Sequence, residues 1–287
     1  MYEQVLFYNH FGAGDIFESR EFVQAWMDLV PARSYHYSHG KNPRILKDMK
    51  GLQFKPITEH MQPMRGVWDD LNGNLYVNTW IGRDGKYILP GIGCTVEKLF
   101  QMHNDMLSVY KLGTFPGQPI DYIPLVNYYE YDLIECDKFK HSMSGIRKVF
   151  IDNGLVQSRQ AENFEFNPIV EQVASNHPEI EFIVTHAFYT KISNIHFTSE
   201  ITKVAKFDLN EVAYLSLCCD VLIGRNSGPH VFTQNRTNCS SADKKLLSFT
   251  YHPQGASFVV NTPVEIKKLW SAATKKDEVI TVIEEAL

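Results

Sequence analysis

Asp15 closes a short turn, Asn9-His10-Phe11-Gly12-Ala13-Gly14-Asp15, that follows the apolar run Val5-Leu6-Phe7-Tyr8. A carboxylate at the mouth of such a turn can take a proton from an attacking hydroxyl. It can equally cap a helix, because Asp15-Ile16-Phe17-Glu18 has the spacing of a capping box, and one residue can do both. His10, Gly12 and Gly14 share the turn, and the glycines let backbone approach a ligand closely. A second turn of this kind carries Asp220-Val221-Leu222-Ile223-Gly224 into Arg225-Asn226-Ser227-Gly228-Pro229-His230. Pro229 suits the first position of a helix, where its missing N–H costs nothing. A helix start offers free N–H groups and a positive dipole end to a phosphate or diphosphate. The alternative is a plain strand-to-helix connection, with His230 packed beneath it.

Three further places carry polar groups at strand ends. After the strand Arg147-Lys-Val-Phe-Ile-Asp152 come Asn153-Gly154 and then Ser158, Arg159 and Gln160, where a guanidinium can serve a diphosphate as a forked donor or simply lie in solvent. His186 follows the strand Glu181-Phe-Ile-Val-Thr185 and belongs to the same edge, as ligand or as structure. Trp80, in Asn78-Thr79-Trp80-Ile81-Gly82, either stacks on a sugar or acceptor or fills the core.

Other chemistries find no support. Gly12-Ala13-Gly14 begins like a dinucleotide fingerprint but lacks its third glycine, and the next strand ends in His39 rather than an acid, so neither NAD nor FAD is expected. The eleven histidines form no H-E-x-x-H and no Cys/His ligand spacing. There is no D-x-D, and Asp69 and Asp70 point to opposite sides of an extended chain, so no metal is expected. No P-loop, G-x-S-x-G or kinase set occurs. The five cysteines, Cys94, Cys136, Cys218, Cys219 and Cys239, form no C-x-x-C pair and suit a reducing cytoplasm, with Cys218 and Cys219 read as core. Asn235-Arg-Thr and Asn238-Cys-Ser match the N-glycosylation pattern by chance, since no secretion signal is evident. A net charge of −5 gives no basic field for nucleic acid. No apolar run approaches the roughly 20 residues that span a bilayer. A cytoplasmic protein is expected.

The elements that position these residues alternate between strand and helix. With 287 residues, 44% hydrophobic, the chain can bury one large core or two ordinary ones. Strands are expected at 4–8, 34–39, 74–81, 147–152, 181–185, 194–198, 220–224, 246–251 and 257–260. Helices are expected at 16–29, near 43–49, and at 96–112, 167–176, 208–217, 264–273 and 277–287. Asp208-Leu-Asn-Glu211 reads as a capping box. This is an α/β chain with parallel sheets. Two Rossmann-like domains, 1–140 and 141–287, are expected to face each other across a cleft, the last helix packing back on the first.

The first strand with Gly-x-Gly-Asp, the restart near 147, and the helix Asp208-Leu-Asn-Glu-Val-Ala-Tyr-Leu followed by Cys219-Asp-Val-Leu-Ile-Gly-Arg-Asn-Ser-Gly-Pro-His230 together resemble glycosyltransferases of the GT-B fold, particularly the bacterial heptosyltransferase-like group. The resemblance covers both ends well and the middle poorly. It implies a hexosyl- or pentosyltransferase using a nucleotide-diphosphate sugar and a glycan or glycoconjugate acceptor, with no metal. Asp15 would be the catalytic base. Asn153, Ser158, Arg159, Gln160, His186 and residues 225–230 would line the donor side, with Glu211 near the nucleotide. His10, Gly12, Gly14 and Trp80 would line the acceptor side. The family's acid before Ser-Gly is Asn226 here, and heptose as donor is not supported. The rival readings are a sugar-nucleotide 2-epimerase and a non-catalytic nucleotide- or glycan-binding protein.

Overall fold

The computed structural model describes residues 1–83, 94–204, 207–226 and 228–287. The chain divides into two compact units. Of the described residues, the first holds 1–83, Cys94–Asn127 and Asn261–Pro263; the second holds Tyr128–Val260 and Val264–Leu287.

In the first unit, β1 (Tyr2–Asn9) lies between β2 (Ala32–His39) and β5 (Asn74–Asn78), with β3 (Leu52–Lys55) and β4 (Val67–Asp69) at the edges. All pairings are parallel except that of β4 with β5. Val5, Phe7 and Tyr8 are wholly buried, as a strand covered on both faces requires. The helix expected at 16–29 is two, α1 (Ala13–Glu18) and α2 (Arg20–Leu29). They part at Ser19, whose hydroxyl donates back to the Ile16 carbonyl at 2.8 Å and meets Tyr37 Oη at 2.9 Å, while the next residue, Arg20, forms a buried ion pair with Asp48. α2 buries Phe22, Val23 and Trp26. Trp26 Nε1 donates to His103 Nδ1 at 2.9 Å, on α3 (Val96–Val109). Burial pushes His103 down to about 3, so its ring is a neutral acceptor.

The second unit opens with α4 (Ile134–Ser142), then β6 (Lys148–Asp152), α5 (Asn167–Asn176), β7 (Glu181–Val184), β8 (Ile195–Phe197), α6 (Thr198–Thr202) and α7 (Leu209–Ser216). β9 (Val221–Arg225), α8 (Gly228–Phe232), α9 (Arg236–Cys239), β10 (Lys245–Phe249), β11 (Lys267–Ser271) and α10 (Lys276–Ala286) complete it. α4 packs on α6 and α7, which is why Tyr128 and the residues after it group with this unit rather than ending the first at 140. The six strands run in the order β8-β7-β6-β9-β10-β11, all parallel. Counted from β6 this is the 3-2-1-4-5-6 order of a Rossmann fold. α10 packs on α5 and β10 of its own unit.

Three expectations are overturned. Residues 264–273 are not a helix, because 267–271 pair with the open edge of β10 and Trp270 Nε1 donates to the Thr250 carbonyl at 3.1 Å. Residues 257–260 are not a strand, because the Ser257 hydroxyl and the Phe258 N–H both turn to Gln234 Oε1, at 3.0 and 2.7 Å. Asp208 does not cap α7; its carboxylate accepts from the Thr202 hydroxyl at 2.8 Å. Among the described residues, no helix is long and apolar enough to cross a membrane. Asn235 and Asn238 are buried, so neither offers its amide to a glycan.

The strand order reverses between β6 and β9, and in the first unit between β1 and β5. Open α/β sheets bind ligands beyond the carboxyl ends of the strands at such a point. One side chain, Asn194, ties together the α5–β7 connection of this frame: its amide nitrogen donates to the carbonyls of Ala174, His177 and Ile180 at 3.1, 3.0 and 2.8 Å. Asn194→Ala leaves the Ile180 carbonyl without its donor, the other two keeping backbone N–H partners, and should cost about 1–3 kcal/mol, read as a lower urea midpoint with an unchanged slope.

Candidate functional site

At the switch point of the second unit, Asp152 ends β6 opposite Gly224 of β9. Its side chain is wholly enclosed, yet each neighbour is a donor. The Thr185 hydroxyl donates to Oδ1 at 2.7 Å, the Gly154 N–H to Oδ1 at 3.1 Å, and the His230 N–H to Oδ2 at 3.1 Å. Burial pushes the Asp152 carboxyl above the usual range, opposed by those three bonds and by His186. A buried carboxylate with fewer partners would take up a proton. The turns after β6, β7 and β9 thus meet on one carboxylate.

Much of the donor-side set turns inward. The Asn153 amide donates to Asn167 Oδ1 at 2.8 Å and the His186 carbonyl at 2.9 Å, and its oxygen accepts the His186 N–H at 2.8 Å. Arg225 is 1% exposed, so it is not a phosphate ligand. Its guanidinium donates to the carbonyls of Gly154 at 2.7 Å, Glu162 at 2.9 Å and Phe164, and lies over the Phe164 ring at 4.3 Å. It pins the 154–164 loop to the sheet. His230 also packs beneath its turn: Nε2 meets Ser248 Oγ at 2.9 Å, and burial pushes the ring down to about 3. α8 is five residues long and starts at Gly228, with Pro229 second. Its start is not an empty anion slot, since Asp152 already takes the His230 N–H.

Asn226 has a role that an acid could not fill. The Phe258 N–H fixes Gln234 Oε1 as an acceptor, so Gln234 Nε2 donates to Asn226 Oδ1 at 2.8 Å, and Asn226 Nδ2 is left to donate to the Gly255 carbonyl at 2.7 Å. Ser227 lies outside the described residues. The groups that remain on the outer side of this edge are Ser158 and Arg159, both exposed, Gln160, half-buried, and His186, exposed over Gly154. Arg159 holds the left-handed backbone region at φ 58, uncommon for a side chain of its kind.

The corresponding edge of the first unit carries Asp15. α1 begins at Ala13 after Gly12, so Asp15 is its third residue and not its cap. The carboxylate reaches back and accepts the Gly12 N–H at 2.7 Å. A Cβ at Gly12 would lie 2.9 Å from that oxygen, which accounts for glycine there. Burial pushes Asp15 up to about 6, offset by this bond and by Lys41. That is a suitable value for a general base near neutrality. Glu18, one turn on, is buried, and burial and then the charge of Asp15 push it well up, so a second carboxyl lies behind the first in its neutral form. Gly14 follows Ala13 in the first turn of α1. His10 Nε2 meets the Met61 carbonyl at 2.6 Å on a half-buried ring, and Trp80 is buried, so the indole is not open to an acceptor. A cavity of about 260 Å³ lies instead at the ends of β2 and β3, lined by Tyr37, His39, Arg44, Leu46, Leu52 and Phe54. α1 packs on the 3-10 turn Pro43–Leu46 that forms one wall. Among the described residues, no three His, Cys, Asp or Glu side chains gather as a metal site requires.

The fold has known relatives in structure. ADP-heptose LPS heptosyltransferase II of E. coli superposes with a TM-score of 0.59 at 10% identity, over 99% of this chain and 98% of that one. A second E. coli heptosyltransferase, solved with ADP, gives 0.56 at 8% identity over 98% and 96%. The fold is that of the GT-B glycosyltransferases. UDP-GlcNAc 2-epimerase from Neisseria meningitidis, solved with UDP-GlcNAc, gives 0.51 at 10% identity over 98% and 91%, so the architecture serves more than one chemistry. No family model matches the sequence, and no curated protein matches it.

Sequence reasoning missed Asp152, Thr185 and Glu18. The available signal was an acid ending an otherwise apolar strand, Val149-Phe150-Ile151-Asp152, and an acid one turn after another on α1.

Two consequences are measurable. Asp15 titrates at about 6 when folded against an ordinary 3.8, so its contribution to stability is complete below 3.8 and is lost as pH rises through about 6. Asp15→Asn removes this cost and should stabilise the chain by about 1–3 kcal/mol near neutral pH, with the difference vanishing in acid; thermal melts across pH read it. Asn226→Asp sets a carboxylate against the Gly255 carbonyl and should destabilise by about 1–3 kcal/mol, although it recreates the acid of the resembling family.

Proposed function

We propose that the chain is a metal-independent glycosyltransferase, moving a hexosyl or pentosyl group from a nucleotide-diphosphate sugar to a hydroxyl of a glycan or glycoconjugate. The observation that carries this reading is Asp15. A carboxylate at the carboxyl end of the first strand, tied by one backbone N–H and raised to about 6, holds the geometry and the proton affinity of a base. Carboxyls raised in this way cluster at functional sites.

In this reading Asp15 takes the proton of the acceptor hydroxyl as its oxygen attacks the anomeric carbon. The bond from that carbon to the diphosphate breaks on the opposite side, and the configuration inverts. The second unit receives the donor at the switch point between β6 and β9. Arg159, Ser158, Gln160 and His186 face the diphosphate there. Asn153, Arg225, Asn226 and His230 shape the site from beneath without touching the donor. Glu18 keeps a neutral carboxyl behind Asp15, so that a second negative charge does not oppose the first.

The test is turnover with sugar nucleotides and mixed glycan acceptors, read by release of the nucleoside diphosphate. Asp15→Asn should lose turnover by about 100-fold or more and bind the donor unchanged, since donor residues belong to the other unit. Release without any acceptor requirement, or an epimerised sugar nucleotide as the product, overturns the transfer reading. Full turnover in Asp15→Asn overturns the role of Asp15.

A further inference from the structure

The hydrogen bonds among Asp152, Thr185 and His186 run in one direction. Two of the three groups held by Asp152 are backbone N–H, which can only donate, and they occupy both of its oxygens. The carboxylate is therefore an acceptor toward Thr185 as well. Thr185 has a single hydroxyl hydrogen, and its bond to Asp152 Oδ1, 2.7 Å, is shorter than its approach to Asn153 Oδ1, 3.2 Å. With that hydrogen committed, the hydroxyl oxygen faces His186 Nδ1 at 2.9 Å as an acceptor. The imidazole carries its hydrogen on Nδ1, and Nε2 presents a lone pair.

The ring is held where a ligand can reach it. The His186 side chain is 60% exposed, while Asp152 beneath it is 2% exposed. Gly154 makes the seat: a Cβ there would lie 2.5 Å from Cε1 and 3.0 Å from Nδ1. Protonation at Nε2 leaves the relay unbroken, because Nδ1–H donates in both forms. It also sets a positive charge 3.8 Å from Asp152 Oδ1.

Arg159, on the loop after β6, and His252, in the turn after β10, are other charged or titratable side chains exposed at this edge. Arg225, at the end of β9, bears on Asp152 and is committed to loop carbonyls; Glu162 and Glu165 bear on Arg225. His230, on α8, is neutral. A sugar nucleotide brings two phosphate charges to the rim above a buried carboxylate. His186 is exposed over Asp152 at this edge, its Nε2 free of the Asp152–Thr185 relay.

We propose that a sugar nucleotide bound at this edge takes up one proton, carried on Nε2 of His186, with Thr185 and Asp152 as positioning residues that fix the ring for it. The inference rests on the donor reading above and adds a proton linkage to it. Affinity then rises in acid and falls in alkali. On the alkaline side of the transition the dissociation constant should weaken about tenfold per pH unit, as one linked proton requires.

The test uses UDP-glucose, ADP-glucose and GDP-mannose, whose phosphates are diesters and do not titrate near neutrality. Titration calorimetry of the whole protein in two buffers of different ionisation heat counts the protons taken up. The wild type should take up close to one proton with whichever sugar nucleotide it binds. His186→Gln, at an exposed position, should bind more weakly, with no uptake and an affinity flat with pH. Thr185→Val should change the pH profile, and Thr185→Ser, which restores the hydroxyl, should return it. Binding by the wild type with no uptake and a flat profile overturns the inference and leaves the donor reading standing. Uptake that persists in His186→Gln also overturns it. Absence of binding by all three at every pH overturns the donor reading and this one together.

Discussion

The carboxylate of Asp152 is the interaction on which the carboxyl edge of the second sheet depends. A buried anion is tolerable only when its oxygens are satisfied, and here the donors come from the turns after three different strands. Arg225 supplies the opposite charge and the opposite half of the arrangement: Asp152 collects N–H and O–H groups, and the guanidinium collects carbonyls. Gly154 is held by both, its N–H by Asp152 and its carbonyl by Arg225. Gly224 allows the approach, since a Cβ there would come within 2.9 Å of the His230 side chain and 3.0 Å of Asp152. The loop after β6 keeps its shape because its peptide groups are bound from beneath, and this leaves the side chains of Ser158 and Arg159 on the outer side.

The same economy explains why so many polar residues at this edge are not available to a ligand. Asn153, Asn226 and Gln234 each bond with both the oxygen and the nitrogen of the amide. Loops that cross the end of a parallel sheet leave backbone groups without ladder partners, and amides are suited to satisfy them because each offers donors and acceptors together. Asn226 is an instance. Its nitrogen answers a carbonyl and its oxygen answers an amide, and a carboxylate would fail the first. An acid at this edge is better placed at Asp152, where every neighbour donates.

The frame was legible where hydrophobic pattern and turn chemistry agreed. The apolar runs at β1, β6 and β9, each ending in Gly, Asn or Asp, and the run at β7, ending in Thr185, mark strands feeding polar turns, and the structure has them. The β11 strand was not legible. Lys267–Ser271 shows an exposed, half-polar pattern that fits an amphipathic helix as well, and only the open edge of β10 decides it. Side-chain direction within the turns was also hidden. Nothing in Arg225-Asn226-Ser227-Gly228-Pro229-His230 says that the first two and the last point inward, because the groups that draw their side chains lie more than sixty residues away at Gly154 and Glu162, or beyond the turn at Ser248 and Gly255.

Asp15 and Asp152 show how one residue type, at similar places in two similar units, reaches different chemistry. Each follows or ends the first strand of its sheet, each accepts a backbone N–H from the adjoining turn, and each is raised by burial. The difference lies in the number of donors and in exposure. Asp152 has three donors and is enclosed, so a proton arriving there must displace hydrogen bonds that hold three turns together. Asp15 has backbone donors only from the start of α1 and is half-buried, with Glu18, pushed well up by burial, behind it. A proton that joins or leaves Asp15 disturbs one turn at most, because its backbone donors all belong to the start of α1. Reversible protonation requires a carboxyl that the structure raises but does not fully employ, and Asp15 meets that condition where Asp152 does not.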